Sequence, residues 1–152
     1  MRRLVPVVAV LTVLGVLGVN EAMAQRGTSQ GGGGGWGPGT AYARLYNPQT
    51  VETISGEVVS VGRITPAQGM SYGVHLMVKT DRETISVHLG PGWYIENQDV
   101  TILPKDRVEV RGSRITFEGK PAIIAATVKK GDEELALRDA AGHPAWSGWR
   151  RR

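Results

Sequence analysis

The chain has 152 residues, a formal net charge of +4, three histidines and no cysteine. Its length supports about one domain, and the missing thiol removes disulfide frameworks, Cys-type zinc sites, thiolate nucleophiles and c-type haem attachment. Three of the positive charges sit together in Arg150-Arg151-Arg152, so the remainder is close to neutral, which speaks against the extended basic surface of a nucleic-acid binder.

At the N-terminus, Arg2 and Arg3 precede the apolar run LVPVVAVLTVLGVLGV, and Ala22-Met23-Ala24 supplies the small-residue pattern of a signal-peptidase site. Residues 1–24 are therefore expected to be a removed signal peptide. Its loss takes away Arg2, Arg3 and Glu21 and brings the charge to +3. The rival is an uncleaved anchor, although the run is short for a span of about 20 apolar residues and contains Pro6. Both place the domain outside the cytoplasm, periplasmic or secreted, and cleavage leaves no membrane span. Residues 25–46 are glycine-rich with little to bury, which predicts a flexible linker in which Trp36 is incidental. The folded domain is expected over 47–149, with 150–152 as a basic end.

From Val51 onward, short Val- and Ile-rich runs alternate with turn residues and no long segment has helical periodicity. Strands are predicted at about 51–64, 73–80, 83–89, 107–115 and 122–129, with a short helical connection near Trp93 to Gln98 and a tight turn at Gly119. Around Asp81-Arg82, residues whose numbers add to 163 pair across a hairpin, setting His75 opposite His88. Strand alternation then puts Val74, Leu76, Val78, Ile85, Val87 and Leu89 on a core face. His75, Met77, Lys79, Thr84, Ser86 and His88 fall on a wet one. A longer loop with a diagonal histidine pair is the alternative. Three strands, a helical connection and two strands make an all-β chain whose order is that of a five-stranded OB-fold-like Greek-key barrel. In the tail, DEELALRDA is expected to form a final strand or one helical turn, and Trp146 to pack back onto the barrel.

The segments PKDRVEVRGS and KPAIIAATVKKGDEELALRD, following an inward-alternating strand and an aromatic connection, resemble the bacterial periplasmic OB-fold proteins, the BOF family. The chain is also similar to secreted OB-like proteins that end in an LRD…G.P.WSG tail. The resemblance covers about Val51 to Trp149. It implies a binding module and carries over no catalytic residue.

No nucleophile elbow, HExxH pair or phosphate loop is present in the sequence, so an enzyme is not expected. OB-folds commonly bind ligands on the outer face of strands 2 and 3, and the expected ligand-binding residues are Tyr72, His75, Met77, Lys79, His88 and Trp93. Two imidazoles and a thioether suit copper, so His75, Met77 and His88 form a candidate copper site. The plain alternative is a pair of histidines facing solvent. The expected partner is a small molecule, a metal ion or an envelope protein. A polyanion or single-stranded nucleic acid, gripped by Tyr72, Trp93 and Tyr94 with Arg63, Lys79, Arg111 and Arg114, ranks behind it because the charge is weak.

Overall fold

β1 (Val51–Ile64) is long because it serves two partners in succession. Its first half pairs antiparallel with β4 (Arg107–Phe117), from Val51↔Ser113 to Glu57↔Arg107. Its second half pairs antiparallel with β2 (Gly73–Lys79), from Glu57↔Lys79 to Ile64↔Gly73, across a bulge between Val58 and Ser60. The computed structural model describes residues 34–148; the predicted signal segment, residues 25–33 and 149–152 lie outside the described residues.

β2 turns into β3 (Thr84–Pro91) with the predicted pairing, including His75↔His88, Leu76↔Val87 and Val78↔Ile85. The Asp81-Arg82 turn is closed by Thr80, whose backbone N–H donates to the Glu83 carbonyl at 2.8 Å and whose hydroxyl accepts from the backbone N–H groups of Arg82 and Glu83. A one-turn helix, α1 (Gly92–Ile95), follows β3. β4 and β5 (Lys120–Lys130) form a hairpin whose two-residue turn has positive φ at both Glu118 and Gly119, the geometry that matches strand twist. The ring closes where β3 pairs in parallel with β5, from Ser86↔Ala122 to His88↔Ile124. The result is an all-β barrel filled by Ile54, Val58, Leu76, Val78, Ile85, Val87, Val110, Ile123 and Val128. The alternating apolar residues of each strand form that core.

A sixth strand, β6 (Glu133–Ala136), pairs with β5 from Thr127↔Ala136 to Lys130↔Glu133. β5 thus presents one edge to two strands, β3 along its first half and β6 along its second. At the gap, the backbone N–H groups of Leu137 and Arg138 donate to the Ala126 carbonyl. The Arg138 side chain fills the remaining opening: Nη1 donates to the carbonyls of Ala125 (2.6 Å) and Leu89 (3.1 Å). A carbonyl buried at such a junction needs a donor, and here the donor is cationic.

The flexible-linker expectation is corrected from Gly35 onward. Trp36, Tyr42 and Tyr46 are all buried, with Trp36 only 2% exposed. The physical reason lies in the barrel's own glycines: a side chain at Gly73 would run into the Trp36 ring, and one at Gly90 into the Trp146 ring. Bare backbone lets two indoles lie directly on the sheet. Trp146 packs back as expected, with Nε1 donating to the Trp36 carbonyl at 2.9 Å.

Candidate functional site

The β2–β3 face is graded from open to closed. Lys79 and Thr84 are exposed, Met77, Ser86 and His75 are half-buried, and His88 is fully buried. The uniformly wet face is therefore corrected at its His88 end. The cause is a cover that strand alternation cannot reveal. Tyr42 stacks on the His88 ring, with its hydroxyl 2.8 Å from Nδ1, while Phe117 at the end of β4 meets the same ring edge-on with centroids 4.9 Å apart. A bulge between Val74 and His75 also breaks strict alternation here, and both His88 and Leu89 are buried.

Burial lowers the His88 pKa to about 4, with the neighbouring His75 and Arg138 contributing, so the ring is neutral near pH 7. Its Nε2 is buried without a hydrogen-bond partner. His75 is also pushed below its ordinary value by burial, and its Nδ1 lies 2.9 Å from the Ser86 hydroxyl. The two rings are 6.4 Å apart, centre to centre. Met77 is paired with Ser86 one strand position further along the face. Among the described residues no group of three or more His, Cys, Asp or Glu side chains is arranged to hold a metal ion.

The remaining residues chosen from the sequence fall into two other places. Lys79 borders a polar groove of about 590 Å³ in which Arg82 and Arg107 face Glu57 and Asp81. With both charge signs present, the groove selects neither anions nor cations. Tyr72 and Trp93 gather at α1. The Tyr72 hydroxyl donates to the Glu96 carboxylate at 2.8 Å and Arg63 lies over the Tyr72 ring at 4.1 Å, while Trp93 packs partly buried against the core.

Beneath α1 opens a cleft of about 320 Å³. Its apolar wall comes from Val61 on β1, Val74 and Leu76 on β2, Leu89 on β3, Ile95 at the end of α1 and Ile102 beyond it. Glu96, Gln98 and Thr101 supply its polar positions.

Residues 50–135, more than half of the chain, match the model of the MamS/MamX magnetosome protein family. The chain belongs to that family. No curated protein matches it. In this MamS/MamX chain the matched span holds β1 to β5 and most of β6, together with the whole cleft wall, His75 and His88. Trp36, Tyr42, Tyr46, Arg138 and Trp146 lie outside it.

Sequence reasoning missed Tyr42, Tyr46 and Arg138. The signal for the tyrosines was their four-residue spacing in YARLY at the edge of a glycine-rich run, and for Arg138 a single cation following the buried pair Leu135 and Leu137.

Proposed function

We propose that this chain is a non-enzymatic binding module serving the magnetosome, built on an OB-type barrel related to the periplasmic BOF proteins. Its ligand is an apolar group, belonging to a small molecule or to an envelope protein, taken up in the cleft under α1. The observation that carries this reading is the cleft itself, whose volume, apolar wall and few polar positions match those of ligand sites of about 300–1,000 Å³. The family description supplies the magnetosome, and the basic, apolar, small-residue pattern of residues 1–24 supplies export to the periplasm or beyond. The ligand surface moves from the outer β2–β3 face to the inner residues of the same strands, and Val61, 39% accessible, extends the apolar wall outward.

Native mass spectrometry of the protein isolated from its own host, followed by methyl NMR titration with decanoate, tests the reading. A retained added mass, or saturable shifts confined to Val61, Leu76, Ile95 and Ile102, is expected. A bare chain mass together with unmoved methyl signals would overturn it.

A second reading, Cu(I) held between His75 and His88 with Met77 nearby, is favoured by the buried, neutral His88 whose Nε2 has no partner. Two imidazoles on one ion at about 2.0 Å each have ring centres at most roughly 6.3 Å apart, so from their 6.4 Å separation the rings must draw together, with His75 turning its Nε2 from Gly62 toward His88, before both reach one ion. In a Cu(I) titration, His88→Ala should remove one-to-one binding while the exposed His143→Ala leaves it intact. Equal losses from the two would rule the copper site out.

A further inference from the structure

The ladder between β1 and β4 runs one step past the start of β4. The Val58 backbone N–H donates to the Asp106 carbonyl at 2.8 Å, and the Lys105 N–H donates to the Val58 carbonyl at 2.7 Å. There the pairing stops. Over residues 59–64, β1 bonds to β2 along one edge, and its other edge has no backbone partner among the described residues. Neighbouring residues of a strand aim their N–H and C=O groups to opposite sides, so alternate residues of this stretch carry donors and acceptors that point away from β2 unpaired. A free edge of this kind is a template for a further strand.

The side chains along the edge lack a neighbour on the same side. Val61 is paired with Leu76 and Arg63 with Val74, and paired residues share a face, so both belong to the inner face of the sheet. Leu76 and Val74 are buried, yet Val61 and Arg63 are exposed. An inward valine stays accessible when the strand beside it is missing. The space at Val61 is the cleft, lined from the other side by Val100, Thr101 and Ile102. Residues 105 and 106 bond to β1, whereas residues 100–102 face Val61 across the cleft without bonding to it. Arg63 adds a charge. Its guanidinium lies over the Tyr72 ring at 4.1 Å, and no carboxylate is within ion-pair distance of it among the described residues.

We propose that an extended peptide segment of a partner protein adds as a strand to the 59–64 edge of β1, with an apolar residue in the cleft beside Val61 and an Asp or Glu two positions away beside Arg63. The proposal rests on the cleft being a site for an apolar group, and it assigns that group to a protein chain. Backbone hydrogen bonds to the edge supply affinity, and the side chains at alternate positions supply selection. Opposite charges facing each other on adjacent strands are favoured, which sets the acidic residue against Arg63. A lipid tail would fill the cleft but offers the edge no N–H group. A helix spends its backbone groups on itself. An extended chain meets both demands.

The test is selection from a displayed library of random ten-residue peptides against the full chain, followed by NMR titration with the selected peptide. Enriched sequences should carry an apolar and an acidic residue two positions apart, and the peptide should shift the backbone amides of residues 59–64 together with the methyl groups of Val61 and Ile102. N-methylating alternate residues of the peptide removes donors from one side only. One of the two methylated sets should therefore weaken binding about tenfold or more while the other leaves it unchanged. Arg63→Glu, at an exposed position, should turn the selected preference from acidic to basic. No enrichment, equal effects of the two methylated sets, a preference unmoved by Arg63→Glu, or a dimer in which a second copy of this chain already protects the amides of residues 59–64 would overturn the proposal. Decanoate separates it from the reading on which it rests. Methyl shifts with decanoate but no peptide at the edge would overturn strand addition and keep the cleft, whereas silence toward both would overturn the cleft as well.

Discussion

The barrel and its coat are held by different physics. β1 to β6 are joined by backbone ladders, and a side chain, that of Arg138, completes the connection only at the seam of β3 and β5. The coat, Gly35 to Thr50 and Leu137 to Ser147, has almost no ladder and is pinned by individual side chains. Trp36 Nε1 donates to the Ser71 carbonyl, the Tyr42 hydroxyl meets His88, the Asn47 backbone N–H donates to Ser113 Oγ, and Trp146 Nε1 donates to the Trp36 carbonyl. A ladder spreads its loss over many bonds, whereas a pinned segment concentrates it in a few anchors. The coat should therefore be the more sensitive region per residue changed, despite its glycine-rich sequence.

The largest test removes an anchor. Trp146 is 3% exposed and meets Trp36 and Tyr94 with ring centres 6.4 and 5.4 Å away. Trp146→Ala should lower the unfolding free energy by about 3 to 5 kcal/mol, and Trp36→Ala by a similar amount. Because the two rings touch, the double variant should lose less than the sum of the singles. Strict additivity in denaturant titrations would mean that Gly35 to Thr50 and Leu137 to Ser147 are separate pieces rather than one coat.

A pH scan tests the coat's cover over His88. The folded pKa of about 4 lies below the ordinary 6.5, so the unfolded chain takes up a proton first as the pH falls. Stability should be full above pH 6.5 and decline by roughly 3 kcal/mol between 6.5 and 4, and the lowered pKa of His75 acts in the same direction. In metal-free protein, His88→Leu should flatten most of that slope. An unchanged slope would place His88 in contact with water and the cover elsewhere.

These two regions also differ in how far the sequence announced them. The strand runs, the His75↔His88 register and the Glu118-Gly119 turn were legible because each rests on local chemistry: alternation, turn residues and chain reversal within a few positions. Trp36 was not legible, because its partners Ser71, Gly73 and Trp146 are distant in sequence and a glycine-rich flank normally signals a tether. The candidate site suffered in the same way. His75, Met77 and His88 were put on one face correctly, yet that face was taken as wet because strand periodicity says which side a residue is on and nothing about what covers it. The cleft wall was legible only as core, since Val74, Leu76 and Leu89 look alike whether or not a cleft lies against them.

A smaller change probes the pin at Tyr42 without disturbing packing. Tyr42→Phe keeps the stacked ring and deletes the hydroxyl, leaving His88 with both ring nitrogens buried and unpartnered. The cost should be about 1 to 3 kcal/mol, that of stranding a buried polar group. No measurable change in the denaturant midpoint would mean that water reaches Nδ1, and with it that the coat around Tyr42 opens on its own.

The smallest effect is expected on the barrel's outer surface, where the comparison predicts tolerance. Arg114 on β4 bridges Glu52 on β1 and Glu83 beside β3, tying three points of the barrel with charge-assisted hydrogen bonds. By geometry alone this is the most elaborate ion-pair cluster among the described residues. All three side chains are about a third exposed, however. At that exposure water competes for the charges, holding three long side chains in one arrangement costs entropy, and salt screens what remains. The strands it joins are already connected by ladders. Arg114→Met should therefore cost less than about 1 kcal/mol, and the difference from wild type should shrink further at 1 M salt. A loss comparable to Trp146→Ala would show that the barrel also depends on single anchors, and the contrast between ladder and pin would fall with it.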